Sequence, residues 1–297
     1  MSTETPAELI AAFAHIPMLA RVPAGQLAIR PLPGLTNRNY KITTSGGTYV
    51  LRLPGTGTEN YIDREAEAHD AALAAGAGLT PEILYADPAT GLMLTRFVDG
   101  AETLTASAMH DPSTLRDAAQ ILRRLHDSGL KFRREMRVFD KIDSYLQKSP
   151  RATAQFGEVR RAAEKLRNLV DDPERRLVPC HIDPTPHNFI RGRGPDGVSR
   201  LYLIDWEYAE MSEPAYDLAG LSIEAEFSDV EERALLAAYG EGVKGATPDR
   251  FAAYKASLYL MAGSWAAMAV EFGNKTPELE AMAHQRLAQA RAALAMS

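Results

Sequence analysis

The sequence predicts an α+β chain of two lobes, an antiparallel sheet first and mostly helices after it. Three observations carry that expectation. From Gln26 to Val98, short runs alternating apolar and polar residues are separated by Gly, Pro and Asn, the pattern of strands joined by turns. From Asp111 onward, apolar residues recur every three or four positions, the helical period. Between Val178 and Tyr208 the strand pattern returns once, as two runs around a Gly-rich hairpin. The expected division is 1–97 for the first lobe and 98–297 for the second.

Taken in order, residues up to about Ala24 form a leading amphipathic helix, with Leu9, Ala12, Phe13 and Ile16 on one face. Strands follow, turning at Ser45-Gly46-Gly47. The loop from Pro33 to Asn39 is a candidate phosphate cover: Gly34 permits close backbone approach, and Thr36, Asn37 and Asn39 offer side-chain donors. On the return strand Tyr49, Leu51 and Leu53 share one face, and Val50 and Arg52 the other. An Arg in an apolar strand is costly to bury unless paired. Glu67, on a helix from Asp63 to Ala75, is the expected partner and Glu65 the alternative. Two more strands flank Asp87–Gly91, and Arg96 to Gly100 is the expected hinge, where the backbone of Arg96, Phe97 and Val98 would meet a nucleotide base.

Pro112 suits a first helical position, and Leu115, Ala118, Ala119, Leu122, Leu125 and His126 make one stripe. His126 therefore reads as a satisfied core histidine. A polar helix is expected from about Arg151 to Val170. Three more are expected over Asp229 to Tyr239, Pro248 to Phe272 and Pro277 to Ala295.

Composition narrows the partners. The 297 residues are 45% hydrophobic and 24% charged, with net charge −6, an ordinary globular balance that argues against nucleic acid. The start, Met1 to Leu9, has no basic segment leading an apolar core. The most apolar run, Ala256 to Val270, is shorter than the roughly 20 residues of a membrane span. No membrane insertion is expected. Cys180 is the only cysteine, which excludes an intrachain disulfide and points to a reducing cytoplasm.

The chemistry concentrates between His181 and Glu207. His181, Asp183 and Asn188 have the H-x-D-x-x-x-x-N spacing of a kinase-type catalytic loop, and Asp205 ends the next strand. ATP brings several negative charges to one place, and Mg2+ takes oxygen ligands from a few carboxylates plus the phosphates. Asn188 and Asp205 are the candidate ligands, with Glu207 in support, and Asp183 the candidate base. Asp217 is expected to brace the loop through buried hydrogen bonds. A rival reading takes His181, Asp183 and His187 as a transition-metal site, which leaves Asn188 and Asp205 unused.

The loop Gly34–Ile42, the strand Tyr49–Gly55, the His181–Asn188 spacing and the run Ile204–Gly220 together resemble the choline/ethanolamine kinase family. The resemblance implies a two-lobe protein-kinase-like fold of the aminoglycoside-phosphotransferase type, with ATP between the lobes. It also implies phosphorylation of a small amino alcohol. It maps the base to Asp183, the metal ligands to Asn188 and Asp205 with Glu207 supporting, and the phosphate cation to Arg52. Glu224 and Trp265 fall where such kinases hold a substrate cation, while Ala262 and Met282 stand where further aromatic residues are expected. Choline, ethanolamine and another small cationic alcohol stay open. Beyond these lie an aminoglycoside, thiamine or a sugar as acceptor, and a non-catalytic nucleotide-binding module.

Overall fold

The computed structural model describes residues 7–34, 37–55, 58, 62–240, 242–273 and 276–295. In chain order the first elements are helix α1 (Ala7–His15), strands β1 (Ala28–Leu32), β2 (Arg38–Thr44) and β3 (Gly47–Leu53), and helix α2 (Arg64–Gly76). Strands β4 (Ile83–Asp87), β5 (Leu92–Arg96) and β6 (Asp99–Thr103) follow, then helices α3 (Ala106–Met109), α4 (Pro112–His126), α5 (Val138–Lys148), α6 (Pro150–Ala162) and α7 (Arg167–Val170). Strands β7 (Val178–Cys180), β8 (Phe189–Arg193), β9 (Ser199–Leu203) and β10 (Glu210–Ser212) precede helices α8 (Pro214–Glu224), α9 (Asp229–Tyr239), α10 (Pro248–Glu271) and α11 (Pro277–Ala295).

The chain folds as two compact units, one made of Met1–Leu104 and Asn188–Ala209, the other of Thr105–His187 and Glu210–Ser297. In the first, five antiparallel strands lie in the order β1-β2-β3-β5-β4. Period-two alternation gives that sheet one apolar face. Leu9, Phe13, Ile16 and Leu19 of the α1 region pack there on Ile42, Tyr49, Leu51, Leu53, Leu92 and Leu94. A second sheet, β6-β8-β9, carries the hairpin that ends near Asp205.

The second unit is built on α10, whose Thr247 side chain caps the helix just before Pro248. Its buried residues, among them Phe251, Tyr254, Leu258 and Leu260, pack against α5, α6, α8 and α11. The stripe on α4 is buried as expected, His126 included. Cys180 is buried in the short β7–β10 pair, the core position its size suits.

Several expectations need correcting. The leading helix ends at His15, because Ile16 precedes Pro17 and a residue before proline avoids the α region. The helix expected over 151–170 breaks into α6, a 3-10 turn at Ala163–Leu166, and α7. The expected hinge runs into strand β6, which pairs with β8. Helix α5 was not anticipated, and its start shows why. Its N-cap, Arg137, makes no side-chain cap bond; instead Asp171 accepts the N–H groups of Val138 and Phe139 at 3.0 and 2.9 Å.

Candidate active site

The first unit gathers three acids and two guanidiniums. Arg52 sits on β3 with its side chain turned inward, 9% exposed, where an unpaired charge would be costly. It pairs with Glu67 on α2 and lies 3.4 Å from Asp205 Oδ1. Helix α2 presents Glu67 because Asp63 caps its start, accepting the Ala66 N–H at 2.9 Å. Arg64 completes the cluster, 2.7 Å from Glu67 and 3.2 Å from Glu207, while also donating to Thr58 Oγ1 at 2.7 Å.

Sequence reasoning did not single out Arg64. A signal was present: a cation in the first turn of a helix opposes the helix dipole, so another demand must place it there.

Asn37 ties the upstream loop to the acids. Its amide donates to Glu207 Oε2 at 3.1 Å, and its carbonyl oxygen accepts the Gly55 N–H at 3.2 Å. A Cβ on Gly34 would lie 2.3 Å from the backbone carbonyl oxygen of Asn37, so only glycine fits there. Thr36, the other expected donor, lies outside the described residues.

Asn188 and Asp205 end the two strands of one hairpin, Phe189 facing Leu203, with the Ile204 N–H donating to the Asn188 carbonyl at 2.9 Å. Asp205 has φ 66°, a left-handed conformation that Asp tolerates better than most residues.

Among the described residues two guanidiniums face three carboxylates. Burial raises Glu207 above the usual carboxylate range, with the neighbouring Asp205 charge adding to it. Desolvation raises Asp205 too, against the pull of Arg52. Glu67 goes the other way, because Arg52 and Arg64 outweigh its burial and hold it low. For Arg52, burial opposes the charge, but Glu67, Asp205 and Glu207 keep it firmly protonated. Glu67, Asp205 and Glu207 each offer an oxygen within 4.8 Å of the others, a donor set suited to a hard divalent cation.

At the expected hinge, the Arg96 N–H donates to the Glu82 carbonyl and the Phe97 N–H to Thr48, at 2.9 and 3.0 Å. The Val98 carbonyl accepts from Ala101 at 3.2 Å. Phe97 is half-buried, with Lys41 Nζ 3.8 Å above its ring.

The second unit holds the loop that carries Asp183. Ile182 has φ 70°, a strained conformation for a β-branched residue. Asp217, fully buried on α8, accepts the N–H of His181 at 2.7 Å and of Ile182 at 2.9 Å. His126 Nε2 lies 3.0 Å from the same carboxylate, and His126 Nδ1 lies 2.9 Å from the Tyr239 hydroxyl. Gly220, one turn further along α8, lets Pro184 lie close, since a Cβ there would be 3.1 Å from the proline ring. Asp183 is half-buried, its carbonyl accepting from Thr185 at 2.8 Å.

On the same helix Glu224 is exposed and paired with Arg286 at 2.7 Å. Trp265 on α10 is 39% exposed, so it is not a core side chain.

Known proteins resemble this chain in sequence and in fold. The model of a family described as phosphotransferase enzymes matches residues 28–254. A LicA protein of Haemophilus influenzae is 32% identical over 211 residues, covering 69% of this chain and 60% of that protein. Among solved structures, a choline/ethanolamine kinase family protein from Mesorhizobium loti is 33% identical with a TM-score of 0.81. That match covers 97% of this chain and 94% of the other. The choline kinase LicA from Streptococcus pneumoniae is 28% identical with a TM-score of 0.82, covering 99% of this chain and 100% of that one.

Proposed function

The chain belongs to the phosphotransferase enzyme family, and from that premise we propose that it transfers the terminal phosphoryl group of ATP to the hydroxyl of choline or ethanolamine. The observation that carries this reading is the acid–guanidinium cluster of Arg52, Glu67, Arg64, Asp205 and Glu207, in which three carboxylate oxygens lie within 4.8 Å of one another. A cluster so composed favours an incoming cation, and its own guanidiniums suit phosphate oxygens. The similarity to choline kinases supports the acceptor.

Asp183 takes the proton of the acceptor hydroxyl as the oxygen–phosphorus bond forms and the bond to the departing ADP breaks. Arg52, held by Glu67, orients the phosphates and offsets their charge. Asn37 and Arg64 act on Glu207, fixing where its oxygens lie. Mg2+ bound by Asn188, Asp205 and Glu207 would neutralise phosphate charge there. The base falls to the segment Arg96–Val98, with two of its N–H groups already committed to the sheet. Glu224 and Trp265 take the cationic end of the acceptor. The first unit thus handles the nucleotide, and the second the acceptor and its proton. Use of ATP and a single reduced, buried Cys180 suit a cytoplasmic enzyme.

An ADP-release assay with Mg-ATP across choline, ethanolamine, an aminoglycoside, thiamine and a sugar tests this directly. Turnover highest with choline or ethanolamine is expected. Turnover with only a neutral alcohol would move the acceptor elsewhere, and none with any acceptor would leave a nucleotide-binding module.

A further inference from the structure

Glu224 meets a cation of the protein itself before any acceptor reaches it. Arg286 on α11 is 9% exposed, and its Nη2 donates to Glu224 Oε1 at 2.7 Å. Its Nη1 donates to Gln289 Oε1 at 3.1 Å, and the guanidinium carbon lies 5.6 Å from the centre of the Tyr259 ring. A guanidinium buried this far stays with its acid, because parting would leave its charge unpaired away from water. Lys255 repeats the arrangement: it pairs with Glu232, and its Nζ lies 6.0 Å from the centre of the same ring. Tyr259 thus already has two of the protein's own cations within the range over which a ring face attracts one.

The Glu224–Arg286 pair has no net charge, yet it is not fully bonded. Glu224 is 38% exposed at its side chain. Among the described residues only Arg286 bonds its carboxylate, through Oε1, so Oε2 keeps its lone pairs for a donor. That state sorts amino alcohols by what their nitrogen carries. A primary ammonium brings three N–H donors, and one of them bonds Oε2 with charge assisting. A trimethylammonium has no N–H, and only net negative charge or ring faces hold it. Arg286 cancels the charge at Glu224, and Tyr259 is already engaged. Of the residues assigned to the acceptor, that leaves the ring of Trp265.

We propose that Arg286 is a specificity-determining residue: paired with Glu224, it makes the site take a primary amino alcohol such as ethanolamine in preference to choline, its trimethylated form. This selectivity rests on the kinase reading, in which Glu224 meets the cationic end of the acceptor.

The experiment uses the full chain, Arg286→Met, Arg286→Lys and the double variant Glu224→Ala with Arg286→Met. It compares kcat/KM for ethanolamine and choline on one preparation of each, so that their ratio cancels any loss of folded protein. The wild type should favour ethanolamine by about 10- to 100-fold, the scale of one hydrogen bond to a charged group. The double variant removes acid and guanidinium together, which keeps the net charge and loses the accepting oxygen. Its preference for ethanolamine should fall by about 10-fold. Arg286→Met uncovers the charge of Glu224 and should raise kcat/KM for choline, per folded enzyme, by about fivefold, the scale of removing one like charge from a partly solvated site. Arg286→Lys keeps a cation and should give no such rise. A wild type that uses both alcohols equally or prefers choline overturns the proposal. So does a double variant that keeps the preference, an Arg286→Met enzyme with no gain on choline, or an equal gain in Arg286→Lys. If neither alcohol is phosphorylated the kinase reading falls, while calorimetric binding of ethanolamine and choline still judges the preference.

Discussion

Asp217 and Asp205 are both held by several neighbours, yet the protein treats them in opposite ways. Asp217 is sealed from solvent, and each of its oxygens meets donors from backbone or imidazole. It is electrostatically complete, and its effect is to hold a backbone in shape. Asp205 remains 32% exposed at its side chain, shares its guanidinium with Glu67, and has its carboxyl raised by desolvation. It is electrostatically incomplete. A satisfied acid builds structure, whereas an acid short of cations is a place to bind one.

The largest expected effect breaks the comparison at the residue Asp217 supports. Asp183→Ala should cut turnover by about 100- to 10,000-fold, the range of a general base, with nucleotide affinity retained in calorimetry. Turnover near wild type would remove the base assignment.

Next is Arg52→Ala, which leaves Glu67 buried with Arg64 alone. Removing one partner of a buried pair costs about 3–5 kcal/mol, and Arg64 should hold the loss to the lower end in urea unfolding. ATP affinity should fall as well. A stability change within error would mean that Arg64 alone compensates Glu67.

Asp205→Asn sharpens the contrast with the opposite sign. Asn tolerates the left-handed φ and removes a carboxylate whose folded pKa is raised. A raised acid costs stability once ionised, so at neutral pH the variant should melt higher, by about 2–4 °C for each kcal/mol relieved. Mg-ATP binding should weaken far more than metal-free ATP binding. Asp217→Asn should instead melt lower, because His126 and two backbone N–H groups lose a charged acceptor. The same sign in both variants would erase the distinction.

The smallest effect lies at the N-terminus of α9. Glu231 is depressed to about 2 by the Ser228 hydroxyl, then His110 and the Ser228 backbone. A depressed acid stabilises above its unfolded pKa, and that gain is lost as pH falls from near 4.5 toward 2. Ser228→Ala should cost about 1 kcal/mol at pH 7 and flatten this acid limb in urea titrations.

How much of this was legible depends on distance along the chain. The long C-terminal helices were readable to within a residue, since their caps and periods are local: Thr247 with Pro248 at α10 is one case. Arg52 opposite Glu67 was readable because a cation in an apolar strand demands an acid. Helix α5 was not, because its cap comes from Asp171, and neither was the contact of His126 with Tyr239, 113 residues away.

By itself the sequence determined the α+β order, the ends of the last three helices and the family the chain belongs to. Only the tertiary structure decided that Asn188–Ala209 joins the first unit, that Arg64 shares Glu67 with Arg52 and also reaches Glu207, and that His126 turns to Asp217. The physical reason is one of range. Periodicity, caps and turn chemistry act over a few residues and leave a local trace, whereas charge balance and buried hydrogen bonds are settled between side chains that sequence order keeps far apart.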